Sequence, residues 1–297
     1  MEDIRTRLKR GEVILGDGAW GTLLMERGLR SGEPPEAMNL HHPEVVEEIA
    51  ALYLEAGAEI ITTNSFGGSP LKLRLHALQD RVEEINRAAV EAARRAAGGR
   101  AYVSASVGPT GRLLRPFGDT EAETMYAGFE RQLRGLIEAG ADMICVETMT
   151  DLQEAALAVK AARALAWDIP VMATMTFEPT PRGYFTVMGV TVARAAAGLA
   201  EAGADIVGSN CGNGIDAMIA IAGEFRKHTS LPMAIQSNAG LPAMRGGTIF
   251  YPESPEFVAG KVPELLAAGA QIIGGCCGTT PAHIRALRAA LDARRLQ

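Results

Sequence analysis

Three of the four cysteines follow two short apolar segments in the last third of the chain. Cys211 stands in Ser209-Asn210-Cys211-Gly212, and the pair Cys276 and Cys277 stands in Gly274-Gly275-Cys276-Cys277-Gly278. Thiolates are soft ligands that favour zinc over magnesium or calcium. Three of them leave one position of a tetrahedral zinc ion open, as catalytic sites do. The pattern therefore predicts a zinc site that can accept a further ligand.

The adjacency of two cysteines raises a geometric question, because consecutive residues of a strand point to opposite faces. Both side chains reach one ion only where the chain leaves strand geometry, and the glycines on either side of the pair permit that departure. A strained vicinal disulfide between Cys276 and Cys277 stays open as an alternative. Burial as an ordinary core thiol is a further alternative, and it is our prediction for Cys145.

Two acidic residues also stand at the ends of predicted strands, Asp17 at the end of the first and Glu147 at the end of the fourth. A glycosidase would need a second acid near the end of strand seven, where Gln236 and Asn238 stand instead. A Schiff-base aldolase would need a lysine in a barrel mouth, and every lysine lies outside the predicted strands. What remains is a pair of carboxylates that holds a substrate ammonium group beside the metal.

Neutral polar groups stand at two further strand ends. Asn64 ends the second predicted strand and Ser106 lies at the end of the third. These groups could bind a substrate carboxylate or satisfy the turns of their own loops. The loop 274–280 also resembles a phosphate cradle before a helix N-terminus. A phosphate-binding enzyme with incidental cysteines therefore stays open beside the metal site.

The elements that must position these residues alternate regularly along the chain. Apolar runs on both faces are typical of buried parallel strands, and helical spacing of apolar residues fills the intervals. Strict alternation of eight strands with helices predicts an α/β fold, a (β/α)8 barrel of the TIM type. We predict one domain over residues 1–297, with strands at 13–18, 59–65, 102–107, 143–148, 171–177, 206–210, 233–238 and 271–275.

Signals at the ends of the helices support this division. An Ala-Gly-Ala triplet precedes strands two, four, six and eight, around Gly57, Gly140, Gly203 and Gly269. Glycine at that place favours the left-handed residue that ends a helix. Asp119-Thr120 and Asp151 are predicted N-caps, and Thr280 precedes Pro281 at the start of the last helix.

Four longer irregular segments lie at 27–43, 66–79, 108–119 and 178–190. Each follows a strand or its short continuation, so we expect all four at the C-terminal face, where barrel active sites form.

The composition limits the classes of protein to which this chain can belong. The chain has 297 residues, 47% hydrophobic and 22% charged, with a net charge of −6. This mildly acidic balance argues against a nucleic-acid partner and gives no reason to expect a membrane partner. The N-terminus has no apolar signal core, and four cysteines in a chain of this length are not a secreted disulfide framework. We expect a cytoplasmic protein.

Several of these motifs together resemble the homocysteine S-methyltransferase family. They are Asp17-Gly18-Ala19, Asn210-Cys211-Gly212, Asn238-Ala239-Gly240 and Gly274-Gly275-Cys276-Cys277-Gly278-Thr279, and they cover nearly the whole chain. Ser106-Val107-Gly108-Pro109-Thr110-Gly111 looks most like the branch formed by the N-terminal homocysteine module of cobalamin-dependent methionine synthases.

The resemblance implies a fold, a reaction and residue roles. It implies a (β/α)8 barrel that binds Zn²⁺ through Cys211, Cys276 and Cys277 and methylates L-homocysteine to L-methionine. Asp17 and Glu147 would hold the substrate amino group, with Asn64 and Ser106 as further substrate contacts. Asn238 would lie close enough to fill the open zinc position before substrate arrives. Trp20 stands where a more flexible apolar residue such as Met is expected, a departure that concerns pocket shape rather than chemistry.

The branch also implies a donor and partners. Methylcobalamin is the implied methyl donor, with methylfolate as the ultimate source, carried by folate- and cobalamin-binding domains. This chain ends with the barrel, so those domains are expected in a longer chain or in trans. Transfer from S-methylmethionine or another small donor stays open. So does a zinc- and homocysteine-binding module that is inactive without separate donor domains.

Overall fold

The computed structural model describes residues 1–246 and 248–295, which form a barrel of parallel strands surrounded by helices. The strands are β1 (Ile14–Leu15), β2 (Ile60–Thr62), β3 (Tyr102–Val107), β4 (Met143–Met149), β5 (Val171–Met175), β6 (Glu178–Thr180), β7 (Gly183–Phe185), β8 (Ile206–Asn210), β9 (Met233–Ser237), β10 (Ala243–Arg245), β11 (Thr248–Phe250) and β12 (Ile272–Gly275).

One helix precedes the first barrel strand, and helices after the strands cover the outer face of the barrel. They are α1 (Ile4–Lys9), α2 (Gly21–Glu26), α3 (Met38–His41), α4 (Pro43–Glu55), α5 (Pro70–Leu73), α6 (Val82–Ala97), α7 (Ala122–Glu138), α8 (Leu152–Leu165), α9 (Val192–Ala202), α10 (Ile215–Arg226), α11 (Pro255–Gly260), α12 (Val262–Ala267) and α13 (Pro281–Arg295). Short 3-10 helices lie at Pro35–Ala37, Arg74–His76 and Gln79–Arg81.

Eight of the strands form the barrel, in the order β1-β12-β9-β8-β5-β4-β3-β2, with every pairing parallel. An isolated parallel bridge between Gly16 and Ile60 joins the two edges, and the Glu59 backbone N–H donates to the Leu15 carbonyl oxygen at 2.7 Å. The predicted (β/α)8 fold is confirmed. None of the described helices is long and apolar enough to cross a membrane.

Two layers of apolar side chains stabilise the barrel. Inside it, side chains from alternate strand positions, such as Ile60, Met172 and Ile272, pack together with Ile4 and Leu8 of α1, which covers the N-terminal end. Cys145 belongs to this inner layer and is buried, as predicted. The second and larger layer lies between the sheet and the helices.

The predicted helix ends are confirmed with one exception. Gly57, Gly140, Gly203 and Gly269 all have a positive φ, and the Asp151 side chain accepts from the Gln153 N–H at the start of α8. Asp119-Thr120 was the wrong choice of N-cap for α7, which is preceded by Glu121. Thr120 forms a bridge to Leu114 and Asp119 pairs with Arg112, so both belong to the preceding loop.

Several predicted strands extended too far into the loops. β1 ends at Leu15 rather than at residue 18, β2 at Thr62 rather than at 65, and β5 at Met175 rather than at 177. The residues just beyond the shorter strands use their polar groups in the site at the barrel mouth. Two hairpins, β6–β7 and β10–β11, were not predicted, because strands of three residues are too short to show a periodic apolar pattern.

One carboxylate supports the closing seam between β1 and β2. Glu59 accepts hydrogen bonds from Arg7 at 2.6 Å and Arg288 at 3.0 Å, so it ties α1 and α13 to the start of β2. All three side chains are mostly shielded from solvent, with exposed fractions of 18–24%.

We predict that Glu59→Gln lowers the free energy of unfolding by about 1–3 kcal/mol, because hydrogen bonds to charged groups at partly buried sites are lost. Glu48 pairs with Arg27 and is 57% exposed, so Glu48→Gln should change stability by less than about 0.5 kcal/mol. Urea denaturation of both variants measures the difference. Equal effects would contradict the role of Glu59 at the seam.

Candidate metal and substrate site

A cavity of about 670 Å³ opens at the C-terminal mouth of the barrel. Its lining includes seven of the eight residues singled out from the sequence: Asp17, Asn64, Ser106, Glu147, Cys211, Cys276 and Cys277. The eighth, Asn238, lies one residue beyond β9 and is buried, although it does not line the cavity. The structure therefore places seven of the eight candidate residues around one cavity.

The three thiols converge because the chain leaves strand geometry where each of their strands ends. Cys211 follows β8 with a φ of 61°, in the left-handed region that non-glycine residues rarely adopt. Cys276 and Cys277 turn away after β12, and Thr279 donates its N–H and its hydroxyl to the Cys276 carbonyl oxygen. The adjacent pair therefore does not alternate across the sheet.

Close packing explains one of the glycines beside the pair. A Cβ at Gly278 would lie 2.0 Å from Cγ of Tyr251, and this glycine has a φ of 79°. Tyr251 follows the β10–β11 hairpin and lines the cavity beside the thiols. No larger residue fits there without moving the aromatic wall.

The spacing of the sulfur atoms fits a tetrahedral zinc ion. The three Sγ atoms lie within 4.8 Å of one another, and Cys211 and Cys277 are 3.7 Å apart. Zn–S bonds of about 2.3 Å in a tetrahedron place sulfur atoms roughly 3.8 Å apart. Within the described ranges this is the one group of three or more His, Cys, Asp or Glu side chains with such spacing.

Two polar atoms without partners lie at the end of β9, the strand between those that precede the cysteines. Oε1 of Gln236 and Oδ1 of Asn238 are buried and accept no hydrogen bond from the described residues. Buried acceptors of this kind are rare in folded proteins. Gln236 lines the cavity with the thiols, so its unpaired oxygen fits a site that receives a cation or a donor group.

The thiols influence one another electrostatically. Hydrogen bonds from Cys211 and Cys276 lower the pKa of Cys277, while its thiol neighbours and burial raise the pKa of Cys276. The thiols cannot all ionise without repelling one another, and a cation bound to all three sulfurs would offset that repulsion.

Asp17 is a buried carboxylate with three hydrogen-bond donors. It accepts from the Thr62 N–H at 2.7 Å, the Thr62 hydroxyl at 2.8 Å and Nε1 of Trp20 at 3.0 Å. Burial raises the pKa of Asp17 to about 6, although these hydrogen bonds act in the opposite direction. We expected Trp20 to affect only the shape of the pocket. Its indole N–H also donates to the Asp17 carboxylate and so helps to hold it in place.

Glu147 lies across the mouth at the end of β4. Its Oε1 accepts from the Ser106 hydroxyl, and its Oε2 accepts from Nδ2 of Asn210 at 3.3 Å. Burial, with smaller contributions from Asp17 and Cys211, raises its pKa from an ordinary value of 4.5 to about 7. Ionising this group therefore destabilises the fold as the pH rises towards 7, and a cation beside it would relieve that penalty.

Asn64 supports the opposite wall of the cavity. Its Nδ2 donates to the Pro35 carbonyl oxygen at 2.7 Å and to Oδ1 of Asn39 at 2.9 Å. The side chain thereby fastens the segment around Pro35 to the end of β2. This contact is structural, and its amide hydrogens are engaged within the protein.

Sequence reasoning missed three contributors to the site. Thr62 and Asn210 hold the two carboxylates, and Tyr251 contacts the thiols through an unpredicted hairpin. Alternation along β2 places Thr62 on the same face as Ile60, which is the one signal that could have identified it. Asn210 was part of a recognised motif, but its partners come from strands distant in sequence.

We predict that Ser106→Ala raises the pKa of Glu147 further, because the hydroxyl that stabilises the ionised form is lost. Ser104 is the matched control: it lies two residues earlier on β3 with a buried hydroxyl that has no partner, so Ser104→Ala should leave that pKa unchanged. Carboxyl ¹³C titration of the reduced, metal-free protein measures both, with Glu147→Gln identifying the resonance. An unchanged pKa in Ser106→Ala would contradict the assignment.

The barrel and its site together define a class, a (β/α)8 protein with a three-thiol, metal-ready centre and two carboxylates at its C-terminal mouth. The model of the homocysteine S-methyltransferase family matches residues 14–291. The chain belongs to that family.

Individual relatives differ in length, and the name of one of them gives a methyl donor, betaine. The chain is 33% identical to the methionine synthases of Mycobacterium leprae and Mycobacterium tuberculosis over 94% of its length, and it spans about a quarter of theirs, 24%. It is 32% identical to betaine–homocysteine S-methyltransferase 1 of Danio rerio, over 97% of this chain and 75% of that protein.

Solved structures agree with this placement. The homocysteine methyltransferase MmuM of Escherichia coli, in its metallated form, superposes with a TM-score of 0.80 at 25% identity, covering 97% of this chain and 99% of that one. The carboxyl transferase domain of Rhizobium etli pyruvate carboxylase, at 15% identity and a TM-score of 0.52, shares the fold alone.

Proposed function

We propose that this protein catalyses zinc-dependent methyl transfer to the thiol of L-homocysteine, giving L-methionine. The observation that carries the proposal is the cluster of three Sγ atoms within 4.8 Å, facing a cavity that also contains Asp17 and Glu147. Cys211, Cys276 and Cys277 would hold the metal. The cavity, of about 670 Å³, has room for an amino acid.

The carboxylates are suited to the amino group of the substrate. Both pKa values are raised, to about 6 for Asp17 and about 7 for Glu147, so each acid gains when a positive charge is seated next to it. Thr62 and Ser106 fix the orientation of these groups. Asn64 shapes the facing wall, and Asn238 offers an unpaired oxygen near the cysteine strands.

The chemical difficulty is that the thiolate is the nucleophile, whereas a free thiol has a pKa of about 8.5. Zinc, when bound, lowers the pKa of a coordinated thiol so that the sulfur is deprotonated at neutral pH. The residues of this chain hold the amino acid by its ammonium group, which keeps the substrate sulfur at the thiol end of the cavity. Trp20 and Tyr251 form part of the surrounding wall.

We predict about one equivalent of zinc per chain in protein purified under reducing conditions, and little in Cys277→Ser, because two thiolates hold the ion much less tightly than three. Cys145 is buried in the inner core and does not line the cavity, so Cys145→Ala is the matched cysteine control and should retain the metal. Metal analysis of the three proteins measures this. No zinc in the parent after reconstitution would contradict the proposal and favour the alternative of a phosphate-binding enzyme.

We further infer that the methyl donor is methylcobalamin carried by a protein domain. Nine of the twelve large apolar side chains exposed in the described residues lie in loops and short elements at the barrel mouth: Met25, Phe66, Leu75, Leu113, Phe117, Val187, Leu241, Met244 and Ile249. A concentration of this kind is typical of a protein-binding surface. It supports folate- and cobalamin-binding domains, in a longer chain or in trans, as partners.

A small donor is the alternative, because the name of one relative, betaine–homocysteine S-methyltransferase 1, gives the small molecule betaine. A third possibility is a zinc- and homocysteine-binding module that turns over only with donor domains. The proposed setting is the cytoplasm, since a site of three reduced thiols needs a reducing compartment.

We predict that the zinc-loaded protein forms methionine from homocysteine with free methylcobalamin, and more than tenfold more slowly with S-methylmethionine or betaine. Mass spectrometry of methionine, with each donor in turn, measures the rates, and the Cys277→Ser protein supplies the background. Faster transfer from S-methylmethionine or betaine would contradict the cobalamin assignment while leaving homocysteine methylation intact. No transfer from any donor, with zinc bound, would favour the inactive module.

A further inference from the structure

One buried amide connects the two halves of the site. The Asn210 side chain ends β8 and is fully buried, and its Nδ2 lies 3.3 Å from Oε2 of Glu147 and 3.9 Å from Sγ of Cys276. The same nitrogen donates to the Thr148 hydroxyl at 2.7 Å. The proposed ammonium receptor and a proposed metal ligand are therefore neighbours of a single donor.

Glu147 and Cys276 compete for one hydrogen of the Asn210 amide nitrogen. An amide NH₂ carries two hydrogens, and the short bond to Thr148 uses one of them. The second hydrogen faces two acceptors, the Glu147 carboxylate and the Cys276 sulfur. The 3.3 Å distance to the carboxylate is longer than an ordinary N–H···O hydrogen bond, as expected for a hydrogen that is shared with the sulfur at 3.9 Å.

The backbone around Asn210 is held in an unusual conformation. Thr148, with a φ of 58°, and Cys211, with a φ of 61°, are two of the three non-glycine residues with positive φ in the described ranges. Such conformations cost about 1–3 kcal/mol each and persist where surrounding contacts hold them. Oδ1 of Asn210 accepts from the Thr148 N–H at 2.7 Å and from the Thr174 hydroxyl at 2.7 Å.

These contacts fix the direction of two functional side chains, Glu147 and Cys211. Thr148 directly follows Glu147, and Cys211 directly follows Asn210 itself. The one amide therefore sets the chain direction at the end of β4 and contacts Sγ of Cys276 beyond the end of β12. No other side chain in the described part of the protein has hydrogen bonds to both a site carboxylate and a site thiol.

We propose that Asn210 is a positioning residue that couples occupancy of the ammonium pocket to metal binding by the thiols. This inference rests on the proposed function. When a substrate ammonium engages Glu147, the shared N–H turns to the Cys276 thiolate and stabilises its charge. When the thiolates carry a metal and attract that N–H, Glu147 is released to accept the ammonium. Each event strengthens the other, as reciprocal coupling between two sites requires.

The test uses L-2-aminobutyrate, which has the ammonium, carboxylate and carbon chain of homocysteine but no sulfur and so cannot add a sulfur ligand. Zinc affinity of the full chain is measured by competition with a chromophoric chelator, with and without saturating aminobutyrate. We expect a gain of about fivefold or more in the parent protein, in the usual range of coupling between sites. In Asn210→Ala the gain should fall below about twofold.

Thr174→Val is the matched control, because it removes a neutral partner of Oδ1 and leaves the Nδ2 contacts in place; its coupling should persist. If Asn210→Ala does not fold, cobalt-substituted parent protein gives a second readout. Its thiolate-to-metal absorption band should shift when aminobutyrate is added.

The outcomes separate the two proposals. A parent that binds zinc with no gain and no spectral shift, or an Asn210→Ala variant with undiminished gain, overturns the coupling and leaves the proposed function standing. A parent that binds no zinc overturns both.

Discussion

The site depends on one constraint, that three sulfur atoms from two strands that are not neighbours lie within 4.8 Å of one another. β9 separates β8 from β12, so the strands alone hold the cysteines too far apart. The chain meets the constraint by turning at each strand end, with Cys211 in a left-handed conformation and a close-packed glycine after Cys277. The hydrogen bonds at the barrel mouth hold these turns in place.

The same barrel mouth contains acidic groups that resist ionisation. Asp17 and Glu147 are surrounded by donors but largely removed from water, so their pKa values rise to about 6 and 7. The barrel mouth contains thiols that can lose their protons and carboxylates that resist ionisation. This combination favours a ligand with a soft nucleophile at one end and a cation at the other. Homocysteine has both groups, and the family assignment agrees with this reading.

Much of this could be predicted from the sequence, because buried parallel strands are continuous apolar runs and their ends meet at one face. The cysteines and both acids were located in that way. The hairpin that brings Tyr251 to the thiols could not be predicted, since its strands of three residues are too short to show a periodic pattern. The role of Asn210 was missed because Glu147 and Cys276 are more than sixty residues away in the chain. Trp20 was judged by size, whereas its indole N–H decides its contact with Asp17.

The most direct test of the account is X-ray absorption at the zinc edge of the reduced protein, recorded without and with L-homocysteine. The account predicts three sulfur neighbours and one lighter atom in the free protein, and four sulfur neighbours when homocysteine is bound. The same spectrum with and without homocysteine, or fewer than three sulfur neighbours in the free protein, would contradict the claim that these three thiols present a metal to the substrate thiol.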